Sequence, residues 1–481
     1  MTMKLLQRDL YVLLLSVLLV SIGLVIADSK LAIVITLILA ILAFRAKHQG
    51  ILILVLVVAT RPFLIELNPG FKILGDLLIL ALLVRTFYDY RHDIKKLFTF
   101  HPFELAFFAF CIVGTISALI TGVGMGALIT QLRAYLLFYL IFYIVVRMEI
   151  TEELIRKFAL TTFSIAVVLS LHGFVEKISN KTVLMPEAWE NWYLSWTNYI
   201  RVYGLLKGPN ELSLFLLISF FISLYLVKKY QGKIRIFLYV GLTLIGTTIL
   251  LTYSRGSLLS LIVFLVVYVF INRKIKPLVP IVLITLISYG LFFVIDQVSS
   301  VYYDAYVAEK WENTNEQNKT DEQGRYKDTF SKDTLEQSSE SGRIYYVQKA
   351  VEIFKDHPIM GTGFATFGGS ATLKYSSPIY EDYDINRNFY SDNQYILILA
   401  ETGILGILMV ALTAIFLLTY TWKLRKGYYF SPLLLFLMVT IVMGSMVYNI
   451  LENDSFMFYF FAVMAFAYRV YKKDIVGLDT K

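Results

Sequence analysis

Long apolar runs separated by short polar segments make up most of the chain. Most of these runs extend to roughly 18–25 residues, the length that a helix needs to cross a hydrocarbon core about 30 Å thick. In chain order they predict about fourteen helices, near residues 10–27, 31–46, 50–67, 71–88, 104–121, 127–147, 158–175, 205–227, 235–252, 256–271, 278–295, 392–420, 432–450 and 454–470. The pattern predicts an all-α polytopic membrane protein with about 12–14 transmembrane helices.

The composition supports this prediction. Hydrophobic residues make up 57% of the 481 residues and charged residues 17%, against about 45–50% and about 25% in soluble domains. A soluble enzyme, a secreted disulfide scaffold and a disordered chain are therefore excluded. The single cysteine, Cys111, lies in an apolar run, so an intramolecular disulfide is excluded as well.

Lysine and arginine are distributed unevenly between the two sides of the predicted bundle. If the helices alternate in direction, the short segments on the side of both termini hold 24 of these residues and the short segments opposite hold nine. Cytoplasmic loops are enriched in lysine and arginine. We therefore expect both termini in the cytoplasm, and we attribute the net charge of +8 to topology and not to nucleic-acid binding.

One segment between the predicted helices is much longer than the others. Residues 1–295 hold eleven predicted helices and residues 391–481 the last three, so residues 296–390 form one large extracytoplasmic loop. The loop contains 16 acidic and 10 basic residues. Residues 313–340 are almost wholly polar and predict a flexible insert.

The rest of the loop predicts short helical structure. Its apolar residues recur at helical spacing, at Ile344, Val347, Val351 and Phe354. His357-Pro358 ends this helix. The glycines from Gly361 to Gly369 predict a turn-rich connection back to the membrane.

Arg255 lies where one predicted helix ends and the next begins, in the stretch Thr252-Tyr253-Ser254-Arg255-Gly256. A helix N-terminus presents unpaired N–H groups and a positive dipole end. Arg255 and Ser254 are therefore candidates for a phosphate cradle. The alternative is an arginine that extends its charge to the membrane interface.

Three further arginines map to the same side. Arg201 precedes Gly208-Pro209-Asn210, where Pro209 suits a helix start and Asn210 a cap or a hydrogen bond within the helix. Arg343 begins the predicted loop helix, where a solvated charge is the alternative. Arg133 lies near the outer end of its helix, and a charge there needs a partner or a function.

Asp392 opens the helix that follows the loop and precedes Asn393. An aspartate in this position is commonly an N-cap. The alternative is a general base that takes a proton from a sugar hydroxyl. Glu401 lies nine residues further along, about 13 Å along a helix, and is too deep to share that chemistry.

The five histidines are scattered along the chain without the spacing of metal ligands. We expect no metal, no cofactor and no nucleic-acid partner.

Four of these stretches, taken in order, resemble the O-antigen ligase and Wzy-type polymerase superfamily of bacterial surface polysaccharide assembly. They are Arg201 to Asn210, Thr252 to Gly256, Arg343 to Phe367, and Asp392-Asn393 followed after nine residues by Gly403-Ile404-Leu405-Gly406. The ligases carry a histidine at the position of Asp392, which is the main departure from their pattern.

The resemblance implies a metal-independent, inverting glycosyltransferase in the bacterial cytoplasmic membrane, with its active site facing outside. Its donor would be a glycan on undecaprenyl pyrophosphate. The site residues would be Asp392 as the base, Arg255, Arg343, Arg201 and Arg133 for the pyrophosphate, and Ser254, Asn210 and Asn393 as support.

Polymerisation of lipid-linked repeat units is the function that we favour, because Asp392 replaces the histidine of the ligases. The alternatives are a ligase that transfers a finished glycan to a lipid or cell-wall acceptor, and a transporter of lipid-linked oligosaccharides. Transporters commonly have matching halves and charges at the midplane, and this chain has neither. Besides the lipid bilayer, a chain-length regulator and a flippase are the candidate partners.

Overall fold

The computed structural model describes residues 2–190, 194, 196–273, 275–306, 343–424, 431–472 and 475–476. In these ranges the chain forms seventeen α-helices and two strands of two residues each. The helices are α1 (Thr2–Ile26), α2 (Ser29–Arg45), α3 (Lys47–Leu67), α4 (Leu74–Asp89), α5 (Pro102–Ile120), α6 (Met125–Val146), α7 (Glu152–Ile178), α8 (Glu187–Glu190), α9 (Trp196–Tyr199), α10 (Pro209–Lys229), α11 (Gly232–Leu251), α12 (Arg255–Asn272), α13 (Val279–Tyr306), α14 (Arg343–Asp356), α15 (Gln394–Leu424), α16 (Ser431–Gly444) and α17 (Asp454–Tyr471).

Each predicted apolar run contains a helix. The runs correspond to α1–α7, α10–α13 and α15–α17. Nine helices in the described ranges are long and apolar enough to cross a membrane, and α1 and α16 contain shorter apolar stretches. The protein is an all-α polytopic membrane protein, as predicted. Its two strands, β1 (Ile150–Thr151) and β2 (Ile475–Val476), pair in parallel near the C-terminus.

The bundle is built around α10. Of the 18-residue apolar stretch of α10, 83% is buried, whereas only 17% of the corresponding stretch is buried in α12 and in α15. The central helix packs against α7, α11 and α17. The apolar outer faces of α12 and α15 are suited to contact with lipid, because lipid tails are as apolar as these side chains.

Helix α15 bends at Gly403, which has a φ of 56°. Beyond the bend, the amide of Ile404 donates to the carbonyl of Pro358 at 2.9 Å and the amide of Leu405 donates to the carbonyl of Ile359 at 3.0 Å. The chain that follows α14 therefore satisfies the helical amides freed by the bend. The rest of α15 is about 30 Å long at 1.5 Å per residue, enough to cross the hydrocarbon core.

The glycine-rich stretch after α14 enters the bundle. The amide of Gly363 donates to the carbonyl of Glu401 in α15 at 2.7 Å, and the amide of Phe364 donates to the carbonyl of Gly114 in α5 at 3.0 Å. Non-helical backbone is tolerated between membrane helices where protein buries it and satisfies its hydrogen bonds. The predicted turn-rich connection is thus a re-entrant segment, residues 361–364, between α5 and α15.

The predicted loop helix is present as α14, and it ends before His357-Pro358 as expected. Its buried side chains, which pack on α15, are Tyr346, Ala350 and Ile353. The apolar residues from which the helix was predicted lie instead on a more exposed face: Ile344, Val347 and Val351 are 37–38% exposed, and Phe354 is half-buried. The predicted flexible insert, residues 313–340, lies outside the described residues.

The helix predicted over 432–450 is shorter than expected. It ends at Gly444, and a short 3-10 helix at Ile450–Glu452 precedes α17. Residues 445–453 therefore form a connection between α16 and α17. We call this connection the platform.

Candidate functional site

Arg255 is the first residue of α12, immediately after the turn that ends α11, as the sequence predicts. The buried Ser254 precedes it, donates from Oγ to Oγ of Ser257 at 2.9 Å and contacts the hydroxyl of Tyr448 at 3.2 Å. These hydroxyl contacts fix the position of the N-terminus of α12. We call the end of the bundle at which α12 and α15 begin the loop end.

Arg201 braces the turn that carries Arg255. Its side chain is 8% exposed, and it donates from Nε to the carbonyl of Thr252 at 2.8 Å. Its Nη2 donates to Oδ1 of Asn210 at 2.5 Å. Asn210 therefore accepts a hydrogen bond from Arg201 in the first turn of α10, and together they tie the start of α10 to the end of α11.

A buried ion pair holds the backbone around Arg201. Glu176 and Lys181 form this pair, and Nζ of Lys181 also donates to the carbonyl of Arg201 at 2.7 Å. The Glu176 carboxylate accepts from the amides of Tyr203 and Gly204 at 2.7–3.0 Å. Burial lowers the pKa of Lys181, against the effect of the carboxylate beside it.

Asp392 is not the N-cap of α15. Oδ1 of Asn393 accepts from the amides of Tyr395 and Ile396 at 3.0 and 3.2 Å, so Asn393 caps the helix. Asp392 lies one residue earlier with a φ of 48° and is half-buried. Of the two alternatives for Asp392, the cap is therefore wrong, and the general base stays a prediction.

Asn449 of the platform holds the two neighbours of Asp392 in place. Its Oδ1 accepts from the hydroxyl of Ser391 at 2.8 Å and from the amide of Asn393 at 3.0 Å. Its Nδ2 donates to the carbonyl of Gly368, which also accepts from the amide of Ser391, both at 2.9 Å. One amide side chain thus joins the loop, the platform and the start of α15.

Tyr448 joins the start of α15 to the start of α12. Its carbonyl accepts from the amide of Gln394 at 3.2 Å, and its hydroxyl contacts Ser254 at 3.2 Å. A Cβ added at Gly256 would lie 2.6 Å from the same hydroxyl, so the contact with α12 is close. Tyr448 therefore contacts the residue before Arg255 and the second residue after Asp392.

Arg343 begins α14, as predicted, and its side chain lies outside the described residues. The helix is fixed to the stretch before Asp392, because the ring of Tyr346 stacks on that of Phe389 with centroids 3.8 Å apart. Nε of Arg387 also donates to the hydroxyl of Tyr346 at 3.2 Å.

Arg133 forms an ion pair within the bundle. Its Nε and Nη2 donate to the two carboxylate oxygens of Asp76 at 2.6 and 2.5 Å. A second ion pair joins Arg61 in α3 to Asp454 in α17 at 3.0 Å. The sequence left two alternatives for the charge of Arg133, a partner or a function, and the structure provides the partner, Asp76.

Glu452 is a carboxylate of the platform that sequence reasoning did not identify. It accepts from the side chain of Gln131 and, at 2.8 Å, from the amide of Ser370. Burial raises its pKa to about 7. Burial and the nearby Glu452 together hold the pKa of Tyr390 well above its ordinary value.

The platform residues Tyr448, Asn449 and Glu452 were all missed by the sequence reasoning. The signal that could have found them is a run of polar residues, Asn449 and Glu452 to Asp454, between two strongly apolar helices. A connection exposed on the surface also contains polar residues, so this signal does not distinguish a surface connection from one that forms part of a site.

The arrangement combines cationic, hydroxyl and carboxylate groups at the loop end. An arginine at a helix N-terminus can bind a phosphate group. A carboxylate can accept a proton from a hydroxyl group within hydrogen-bond reach. Among the described residues, no three His, Cys, Asp or Glu side chains are grouped to hold a metal ion.

A scan against protein families matches residues 240–411 to the family described as O-antigen ligase. The matched range begins in α11 and ends in α15. It includes Arg255, Arg343 and Asp392, whereas Arg133 and Arg201 lie outside it. No curated protein matches the chain significantly.

Proposed function

We propose that this chain, whose residues 240–411 match the O-antigen ligase family, is a member of the O-antigen ligase and Wzy-type superfamily that polymerises lipid-linked oligosaccharides. The enzyme would act in the bacterial cytoplasmic membrane, and the loop end of the bundle would face outside. Its donor would be a glycan on undecaprenyl pyrophosphate, and its acceptor a hydroxyl group of a second lipid-linked glycan.

The observation that carries this proposal is the double contact of Tyr448. It joins the turn before Arg255 to the start of the helix after Asp392. A reaction that displaces a pyrophosphate with a sugar hydroxyl needs a cation at the leaving group and a base at the nucleophile. Tyr448 joins the segment that carries Arg255 to the segment that carries Asp392, the residues that we propose for these two roles.

In the proposed reaction, the acceptor oxygen attacks the anomeric carbon of the donor. A C–O bond forms to the acceptor as the C–O bond to the pyrophosphate breaks, and the anomeric configuration inverts. Asp392 takes the hydroxyl proton. Arg255 and Arg343 bind the departing undecaprenyl pyrophosphate, since guanidinium groups present paired donors to phosphate oxygens and keep their charge. No metal takes part in this proposal.

We assign positioning roles to Arg201 and Arg133. Arg201 holds the turn before Arg255 through Thr252, and Arg133 already has a bidentate carboxylate partner in Asp76. A contribution of either arginine to pyrophosphate binding would add to this positioning role.

A ligase reaction is the second candidate, and the description of the matching family favours it. It differs from polymerisation only in the acceptor. The replacement of the ligases' histidine by Asp392 favours the polymerase. A transporter is disfavoured, because the family match covers the segments that hold Arg255 and Asp392.

The test uses the purified full-length protein in liposomes with a single native lipid-linked repeat unit. A ladder of lengthening glycans is expected. Transfer that occurs only after a distinct lipid or glycan acceptor is added would make the protein a ligase. Movement of the substrate to the opposite leaflet without any transfer would overturn the enzymatic proposal.

In the same assay, Arg255→Ala should abolish the ladder, and Arg255→Lys should weaken it strongly because lysine keeps the charge but loses the bidentate geometry. Lys30→Ala, which removes an exposed cation from the first turn of α2, is the matched control and should leave the ladder unchanged. A normal ladder with Arg255→Ala would refute pyrophosphate binding by Arg255.

A further inference from the structure

Helix α14 has three distinct faces. One is buried against α15 and contains Tyr346, Ala350 and Ile353. A second is polar and carries Gln348, Lys349, Glu352 and Lys355. The third is apolar and more exposed, and it consists of Ile344, Val347, Val351 and Phe354. We call this third face the apolar stripe.

A helix that only bridged protein and water would need two faces. Three of the four stripe residues are more than one third exposed. Their spacing of three or four residues aligns them along one side of the helix. An exposed apolar face on a protein that is already embedded in a bilayer indicates contact with an apolar medium.

The stripe leads to a surface that is suited to lipid contact. The C-terminal end of α14 is fixed at the bend of α15 by the hydrogen bonds of Ile404 and Leu405 to Pro358 and Ile359. Ile359 is 64% exposed, and Ile404 and Leu405 beside it are 47% and 36% exposed. The exposed residues of α15 belong to a candidate membrane-spanning helix. The apolar surface of that helix thus continues onto α14.

The length of α15 puts α14 at the membrane boundary. The part beyond Gly403 is about 30 Å long and can cross the hydrocarbon core by itself. The first turns of α15, on which α14 packs, are therefore left at the edge of the core. The other end of α14 lies near Phe389, which stacks on Tyr346.

We propose that the apolar stripe contacts the acyl chains of the leaflet at the loop end, with the polar face of α14 in water. The occupant of this surface is bilayer lipid. The arrangement anchors α14 at a fixed depth in the interface. This inference does not depend on the proposed glycosyl transfer.

The experiment places an environment-sensitive fluorophore on single cysteines in the full-length protein, in which the buried Cys111 is first replaced by serine. Val351→Cys labels the apolar stripe and Gln348→Cys labels the polar face of the same helix. Both proteins are reconstituted in phosphatidylcholine vesicles. Each label is then tested with lipids that carry brominated acyl chains and, separately, with iodide in the buffer.

We expect brominated lipid to reduce the fluorescence at position 351 and iodide to reduce it at position 348. Quenching of the position 351 label by iodide and not by brominated lipid would overturn the proposal. Protection from both quenchers would also overturn it, because another part of the chain or a second copy would then cover the stripe. Recovery of lipid quenching at high lipid-to-protein ratios would identify the second copy.

The labelled proteins must retain the elution profile of the unlabelled chain in detergent. Lys349→Cys, a second site on the polar face, supplies an independent control and should behave like position 348. If labels on both faces are quenched equally by brominated lipid, α14 is not oriented as proposed.

Discussion

The backbone at Asp392 adopts a left-handed conformation that costs most residues about 1–2 kcal/mol. Its φ is 48°, and its two neighbours are fixed by the side chain of Asn449. Asparagine and aspartate tolerate this conformation best among the non-glycine residues. The strain is therefore maintained by the platform, and strained residues of this kind cluster at functional sites.

Asp392→Asn should remove the basicity of this position without disturbing the backbone, because asparagine also tolerates a positive φ. We expect glycan transfer in liposomes to fall by about 10²–10⁴-fold, the usual contribution of a general base. The thermal midpoint in detergent should not change.

The control is Thr151→Ala, which removes the observed N-cap of α7 and leaves Asp392 intact. Loss of a cap costs about 0.5–2 kcal/mol of stability, so the thermal midpoint should fall while transfer below that midpoint persists. Full transfer activity in Asp392→Asn would leave the reaction without the proposed base.

Glu452 predicts a pH dependence of stability. Its pKa is about 7 in the folded protein, against an ordinary value of 4.5. The folded state therefore binds more protons than the unfolded state between these values, and this group makes stability fall as the pH rises through that window. Glutamine cannot ionise, so Glu452→Gln should lose less stability than the parent protein between about pH 5 and about pH 7. Thermal unfolding in detergent across this range measures the difference, and parallel curves would contradict it.

At the scale of elements, the sequence predicts which segments are helical better than which face each helix buries. In α14, one set of residues (344, 347, 351 and 354) and another (346, 350 and 353) both recur at helical spacing. Apolar side chains suit contact with protein and with lipid equally well. The sequence pattern alone therefore cannot show that α15 covers the second set.

The re-entrant segment could not be predicted for a different reason. Glycines such as Gly361 and Gly363 indicate a turn wherever they occur in a polar loop. The backbone that lies against them, at Glu401 in α15 and at Ala118 in α5, is distant in the sequence. Only the tertiary structure brings these groups together.

The re-entrant segment predicts a severe effect of a single methyl group. A Cβ at Gly363, which has a φ of +94°, would overlap the backbone of Ala118. At Gly122, with a φ of +80°, a Cβ would meet no atom within 4 Å. Gly122→Ala should therefore cost only the backbone strain of about 1–2 kcal/mol. Gly363→Ala should cost about 1–3 kcal/mol more, because the methyl group must displace α5.

Thermal unfolding of both variants in one detergent measures this comparison. Equal shifts of the thermal midpoint would mean that residues 361–364 do not enter the bundle. A larger shift for Gly363→Ala would also explain why glycine occupies this position in the stretch after α14.

At the scale of the whole molecule, hydrophobic length alone predicts the order of the helices, since each helix must satisfy its own backbone hydrogen bonds in lipid. The candidate site depends on connections instead. Arg255 could be placed at a helix start from its sequence, but its link to Asp392 passes through Tyr448 in the platform, which lies about two hundred residues further along the chain. No local pattern encodes such a link, and the apolar pattern predicts a helix over residues 445–450 of the platform.

The orientation of the bundle follows from the charge asymmetry and remains a prediction. Positive residues on the side of both termini outnumber those opposite by 24 to nine, which favours a cytoplasmic location for that side.

Single cysteines test this orientation, at Glu381 in the loop after α14 and at His92 between α4 and α5. Both side chains are exposed. In a chain with Cys111→Ser, a membrane-impermeant maleimide should label position 381 in intact cells and position 92 only after permeabilisation. The reverse pattern would place the loop end, with Arg255 and Asp392, in the cytoplasm. Lipid-linked glycans exported across the membrane could not then reach the site, so the proposed polymerisation outside the cell would fail with the orientation.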